Sequence, residues 1–324
     1  MTAMPDWAAL LFGAGAGDAW PQIFAAVADA AATAPDVKAL EQALGDGDRL
    51  LDEAAWDLWR TYADAAPRAL TSLGDWWRQA APVGRAVLVL DSLSVRELWR
   101  ILRAGTERGV TPTTVTVQGA PVPTDTEAAA HLLGLSQRSQ LQFGKYPPSF
   151  VFAADRPETD VTNEEFGVLA DRLPPARDIV IWHSWLDDLL HQLADKAQGA
   201  TQIQSVAATV LKGDGFWRLV DNLRQGRRLL VTSDHGYAVS RYFSDLPDPL
   251  AGQARAAFKA QRCGPLPAVL FSRLGAQPLY VGSGNRAAVV GPWKWNVEGG
   301  FPHLSHGGLT LAEVCVPYLE FAPL

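Results

Sequence analysis

Cysteine is almost missing from this chain: 324 residues contain two, Cys263 and Cys315, far apart in sequence. A chain of this length needs no disulfide staples, so the pair fits a reducing compartment, and the cytoplasm is the expected location. Basic residues are also in deficit. Twenty-eight Lys and Arg face 35 Asp and Glu, a net charge of −7, which excludes a generally basic nucleic-acid binder and leaves any such contact to a local patch. No apolar run approaches the ~20 residues of a membrane span. The opening MTAMPDWAALLFGAGAGDAW lacks a positive n-region, so neither signal nor anchor is expected. Internal repeats and low-complexity tracts are absent too.

What remains is rich in apolar residues, 48% of the chain, enough for a full core in one large domain with an appendage or in two domains. Residues 1–80 read as a helical N-terminal domain. WPQIFAAVADAAATA and LLDEAAWDLWRTYADA space their apolar residues by three and four, and Asp36 and Asp48 stand as N-cap candidates. This stretch has no His, no Cys and no phosphate loop, and it reads as a cap or docking domain. Seven of the 12 tryptophans lie in the first hundred residues; core packing is the expected role of most, with a partner-binding surface as the alternative.

Residues 81–324 read as α/β. AVLVLD (86–91), TTVTVQ (113–118), FVFAA (150–154), DIVIWH (178–183), RLLVTSD (228–234) and CVPYLEF (315–321) are the expected strands. VRELWRILRAGTERG, NEEFGVLADRL and IQSVAATVLKGDGFWRLVDNLRQG are the helices between them, while PPARD (174–178) and SDLPDPLAGQA (244–254) are expected surface loops. Continuous Val, Ile and Leu strands separated by helices predict a mostly parallel sheet with helices on both faces. Ligands of such sheets gather at the carboxyl ends of strands, which is where Asp91, His183, Asp187 and Asp234 fall.

Carboxylates and imidazoles recur there at metal-ligand spacing. Asp91 ends an apolar run, with N-capping of the next helix as the competing role. Asp187 and His191 share one face of a helical turn, with Asp188 as competitor. Asp234–His235 ends a strand, and Gly236 is read as permitting a sharp turn around an ion. His306 precedes Gly307–Gly308, with His303 a second candidate; His183 reads as packing near the site and His131 as helical. Thr126, in PVPTDTEAAAHLLG, is the candidate nucleophile at a helix N-terminus, with Thr124 the alternative and N-capping the competing role. Two divalent ions beside a hydroxyl suit phosphate ester cleavage.

Taken in chain order, Asp91, Thr126, Asp187 with His191, Asp234–His235 and the late HGGLTLAEVCVP resemble the PglZ domain of the alkaline phosphatase superfamily over about residues 85–324. The resemblance implies an alkaline-phosphatase-like fold and a two-metal phosphoric ester hydrolase. One cation would sit on Asp187, His191 and His306, the other on Asp91, Asp234 and His235, with zinc first and manganese second as the metals. Thr126 would attack phosphorus in line to give a covalent phospho-enzyme. The chain departs from the family at Asp91–Ser94, where some members carry Arg in the fourth position; the first basic residue here is Arg96. Cys263, in CGPLP, lacks the Arg of a sulfatase motif.

The resemblance further implies a nucleotide or oligonucleotide phosphodiester substrate, a role in bacterial anti-phage (BREX-type) defence, and a defence-system partner docked through residues 1–80. The run Lys212, Arg218, Arg224, Arg227 and Arg228, with Arg255, Lys259, Arg262 and Arg273, is modest support for such a substrate, solvated helix faces being its alternative. The rivals are a phosphomonoesterase or mutase on a small metabolite and a non-catalytic adaptor.

Overall fold

The computed structural model describes residues 5–13, 19–79, 82–269, 271–272 and 277–324. Its centre is a six-stranded sheet. β1 (Gly84–Leu90), β2 (Thr114–Gly119), β3 (Glu158–Thr162), β4 (Asp178–His183) and β5 (Arg227–Thr232) run parallel, and the strand Cys315–Phe321 inserts antiparallel between β2 and β5. The order is β2, Cys315–Phe321, β5, β1, β4, β3. β1 and β4 lie inside and are buried almost throughout, as their unbroken branched apolar sequences require of strands covered on both faces.

The register sets the functional edge. Leu90 pairs with His183 and Val89 with Thr232, so the first residues beyond β1, β4 and β5 emerge side by side. Asp91 follows β1, the helix Trp185–Leu193 follows β4, and Ser233–Asp234–His235 follows β5.

Several expected elements differ. FVFAA is a turn leading into a short 3-10 segment, Ala153–Asp155. Phe150 and Phe152 are buried sideways against the helix Ala69–Arg78, Phe152 stacking on Trp77 at 4.3 Å, and the free edge of β4 is taken by β3, whose polar ETDVT hid it. Asp36 caps the helix Val37–Glu53 through Ala39 N at 2.8 Å, but Asp48 lies within that helix and accepts from Leu311 N at 2.7 Å. LLDEAAWDLWRTYADA is broken between Glu53 and Leu58, and the long helix after β4 is broken at Gly213 into Gly199–Lys212 and Asp214–Arg224. SDLPDPLAGQA is not one loop: Ser244–Asp245 pairs with Trp293–Lys294, and Leu250 begins a helix. That helix, Leu250–Phe258, belongs to a small unit built on the antiparallel strands Cys263–Pro265, Arg286–Val289 and Tyr280–Ser283, with its own apolar cluster around Trp295.

The helices before Ala66 cover one face of the sheet, and the helix Ala69–Arg78 lies on the other. Trp20, Trp59 and Tyr62 are fully buried with ring centroids 4.8–5.7 Å apart, and the Tyr62 hydroxyl donates to Ala120 O at 2.7 Å just beyond β2. One continuous apolar cluster runs from Trp7 to Phe321. No described helix is long and apolar enough to cross a membrane.

Candidate metal centre and nucleophile

Asp91 and Asp234 are both 0% exposed, a placement that costs several kcal/mol per charge unless opposite charges or donors surround it. Each commits one oxygen to the scaffold and presents the other inward. Asp234 Oδ1 accepts from Ser92 N at 3.1 Å and His235 N at 2.9 Å. Asp91 Oδ2 accepts from Trp182 Nε1 at 2.9 Å and meets the Arg138 guanidinium. Ser92, in the left-handed region at φ 64°, turns the chain so that its Oγ also reaches Asp187 Oδ1 at 2.9 Å. Asp91 does not cap the following helix: Ser94 does, in a capping box with Glu97.

His235 closes this group. Its Nδ1 lies 3.0 Å from Gly236 O, and a carbonyl only accepts, so the ring proton sits on Nδ1 and the Nε2 lone pair faces inward. Nε2 is 3.6 Å from Asp91 Oδ1 and 3.4 Å from Asp234 Oδ2. Gly236, expected to permit a sharp turn, does so without a positive φ. Its need is space, because a Cβ there would collide with Ala312 O.

Thr126 is the first residue of the helix Thr126–Leu132, and Asp125, accepting from Ala128 N at 2.9 Å, is the N-cap. The Thr126 hydroxyl is thereby free of capping duty. Its Oγ1 lies 3.1 Å from Asp234 Oδ2, 3.4 and 3.5 Å from the Asp91 oxygens and 3.4 Å from His235 Nε2. Thr124 is fully buried, donating to Gly308 O at 2.8 Å and accepting from Gly307 N at 2.9 Å, so it ties two loops together and does not reach the carboxylates.

A second group adjoins the first. Asp187 Oδ1 is 3.5 Å from His191 Nε2 and 3.9 Å from His306 Nε2, and the His306 ring stacks on His235 with centroids 4.4 Å apart. Donor atoms of Asp187, His235 and His306 lie within 4.8 Å of one another, as do those of Asp91, Asp234 and His235. His235 therefore belongs to both groups, whereas the resemblance had implied it for one. His191 stands at the mouth, its side chain 60% exposed. The two glycines after His306 let the chain pass close to its neighbours: a Cβ on Gly307, at φ 101°, would lie 2.7 Å from Cys263 Sγ, and one on Gly308 would strike the Arg262 guanidinium. Arg262 and Glu313 form a fully buried two-pronged ion pair at 2.9 Å, and Glu313 also accepts from Gly308 N at 2.9 Å.

The electrostatics fit a cation site. Burial first, then Asp234 and Asp187, push the Asp91 carboxyl well above the carboxylate range, and burial with Asp187 pushes Asp234 up to about 6. Burial also raises Asp187, but His235, His306, His191 and the Ser92 hydroxyl together hold it below its ordinary value. His306 is lowered to about 3 by burial and by His235, leaving a neutral ring able to ligate. Three buried acids share one guanidinium, and the 3.4 and 3.6 Å from His235 Nε2 to Asp234 and Asp91 match the ~3.3–3.6 Å edges of a tetrahedron with ~2.0–2.2 Å metal–ligand bonds. Mixed oxygen and imidazole donors of this kind suit zinc or manganese.

The other sequence candidates lie apart. Asp188 accepts from Ser184 Oγ at 2.9 Å and Asn163 Nδ2 at 3.0 Å. His183 is buried against Phe166, its Nε2 2.9 Å from Glu164 O, His131 is exposed, and His303 lines a separate surface recess with Arg241 and Lys294. Arg96 turns from the site toward Glu41, at 2.9 Å. The basic run is split: Arg262 is buried on Glu313, Arg228 is mostly covered on Glu320 and Arg224 and Arg227 on backbone carbonyls, whereas Lys212 on Glu107, Arg218 on Asp171 and Arg255 on Asn296 O pair at the exposed surface. Arg273 lies outside the described residues. Arg138 was missed, since nothing periodic or motif-like marks SQRSQLQFG; its Nη1 meets Asp91 and stands 3.7 Å from Asp187, between the two groups.

No family model matches the sequence, and no curated protein does. Among solved structures the chain is similar to murine ectonucleotide pyrophosphatase/phosphodiesterase 5 in complex with AMP, at 13% identity over 74% of this chain and 88% of that one, TM-score 0.41. Its human counterpart aligns at 10% identity over 74% and 88%, TM-score 0.41. Phosphonoacetate hydrolase from Sinorhizobium meliloti, with phosphonoformate, aligns at 12% identity over 75% and 90%, TM-score 0.42. At such distances the chemistry of this chain rests on its own side chains.

Proposed function

We propose that the protein is a metal-dependent phosphoric ester hydrolase of the alkaline phosphatase superfamily with Thr126 as nucleophile. The observation that carries this reading is the Thr126 hydroxyl, free of capping, with Asp234, Asp91 and His235 all within 3.5 Å. Asp91, Asp234 and His235 would hold one cation, and Asp187 with His306 and His191 the other. Bound there, the cations supply positive charge for developing oxyanions and lower the pKa of a hydroxyl beside them.

The residues of the chain define the rest. With a cation held by the inward oxygens of Asp91 and Asp234, the Thr126 hydroxyl would give up its proton to solvent. Oγ1 forms a bond to phosphorus as the bond from phosphorus to the leaving oxygen breaks, and the leaving group departs with its electron pair. Arg138, a quarter exposed between the two groups, offers a planar fork to phosphoryl oxygens. Water then cleaves the Oγ1–P bond, releasing the phosphoryl product and restoring the hydroxyl.

The finer reading is a PglZ-type phosphodiesterase on nucleotides or short oligonucleotides in phage defence, with residues 1–80 docking a partner. It rests on the order of the motifs. The net charge of −7 favours short substrates over a long duplex, which needs many phosphate contacts.

The test combines elemental analysis with hydrolysis of bis(p-nitrophenyl) phosphate. Wild type is expected to carry a divalent metal and turn over; Thr126→Ala keeps metal and loses turnover, and Asp234→Asn loses both. Undiminished turnover in Thr126→Ala overturns the assignment.

A further inference from the structure

We infer that the recess between the helix Val37–Glu53 and the chain after His235 is a binding site for an uncharged heterocycle with a lactam edge, the chemistry of guanine or uracil. The recess has a volume of about 340 Å³ and includes none of the carboxylates or histidines of the metal centre. That volume is at the lower end of small-molecule sites, room for a base rather than for a chain of nucleotides. Leu44, Val239 and Phe243 give it apolar walls, and Glu41 and Arg96 line it as well.

Its recognition chemistry comes from those last two. Arg96 is 2% exposed. Its Nε donates to Glu41 at 2.9 Å and its Nη1 to Tyr237 O at 2.9 Å, and among the described residues Nη2 has no hydrogen-bond partner. Nη2 is not among the buried atoms left without a partner, so this donor stays open to an acceptor in the recess that Arg96 lines. Glu41 mirrors it. The carboxylate has about four lone-pair sites, and Arg96, Gln204 and the Tyr242 hydroxyl use three, at 2.7–3.0 Å, while Arg241 stays at 3.8 Å, beyond hydrogen-bond distance. One spare donor beside one spare acceptor matches a ring that presents C=O and N–H on adjacent atoms. Charges of both signs line the recess, Lys38 and Arg96 with Glu41 and Asp46, and Arg241 lies 3.8 Å from Glu41, so hydrogen bonding and shape select the occupant. Through the Arg96 bond to Tyr237 O, two residues beyond His235, the occupant also touches the loop that carries the metal centre.

Calorimetric titration with guanosine and adenosine tests this, and it reads ligand heat without any turnover, so its outcome is separate from that of Thr126. Gly45 gives a variant that spares the polar network: it lines the recess on an exposed helical position where a Cβ meets nothing within 4 Å. Guanosine is expected to bind wild type and Gly45→Ala alike, about tenfold or more weaker to Gly45→Trp, and about tenfold or more tighter than adenosine, which lacks the lactam edge. Thermal melting confirms that Gly45→Trp folds, as replacing a helical glycine should allow. No saturable guanosine binding to wild type, equal binding to Gly45→Trp, or adenosine binding as well as guanosine overturns the inference.

Discussion

At the scale of single residues, Thr126 and Arg138 make separate predictions. Thr126→Ala should lower kcat by about 10³-fold or more with metal content unchanged, while Thr126→Ser retains a measurable rate, because only the hydroxyl forms the covalent bond. Arg138→Ala should raise KM and lower kcat/KM by about 10–100-fold, with Arg138→Lys recovering only part, since an ammonium lacks the planar fork. Equal kinetics for wild type and Arg138→Ala would remove it from the site. The six proposed ligands and Thr126 could be named before the fold from the order of their motifs, although N-capping competed for Asp91 and Thr126 until the structure gave those caps to Ser94 and Asp125. Arg138, Ser92 and Trp182 were not legible: each acts through a three-dimensional contact with Asp91 or Asp187, and ordinary loop and strand sequence surrounds them.

At the scale of elements, the Arg262–Glu313 pair holds the segment bearing His306. Removing one partner of a buried pair costs about 3–5 kcal/mol, so Arg262→Ala should lower the urea midpoint sharply and weaken metal retention; a full complement of metal in a destabilised Arg262→Ala would show that the pair does not position His306. Asp48 gives a pH prediction. Burial pushes its carboxyl up to about 8, Leu311 N–H opposes this, and Glu313 adds to it. The folded chain therefore holds a proton that the unfolded chain releases near 3.8. Asp48's contribution is whole below that value and is lost as pH rises through about 8. Asp48→Asn, which keeps an oxygen for Leu311 N, should flatten the decline in unfolding free energy between pH 5 and 8; an unchanged slope contradicts the assignment. Legibility at this scale was uneven. β1, β4 and β5 announced themselves as unbroken branched runs, whereas FVFAA has strand composition but its two Phe rings fill a gap beside Trp77. β3 pairs at the sheet edge, where a polar sequence suffices.

At the scale of the whole molecule, helices and sheet share one core from Trp7 to Phe321. Deleting residues 1–78 would uncover apolar surface on both faces of the sheet and should give insoluble protein rather than a free catalytic unit, as expression and light scattering would show. Metal and fold are linked as well: zinc at about 100-fold over its Kd should stabilise the protein by about 2.7 kcal/mol, reversed by chelation and absent in Asp234→Asn. The parallel sheet and its ligand-bearing edge could be read from alternating strand and helix patterns. The small unit around Trp295 could not, because strands of three or four residues are too short for a period to show. The most direct measurement is mass spectrometry of metal-loaded protein acid-quenched during hydrolysis of bis(p-nitrophenyl) phosphate. A p-nitrophenyl phosphoryl group on the peptide containing Thr126, absent from Thr126→Ala, is the predicted result; the adduct on another residue, or wild-type turnover by Thr126→Ala, contradicts it.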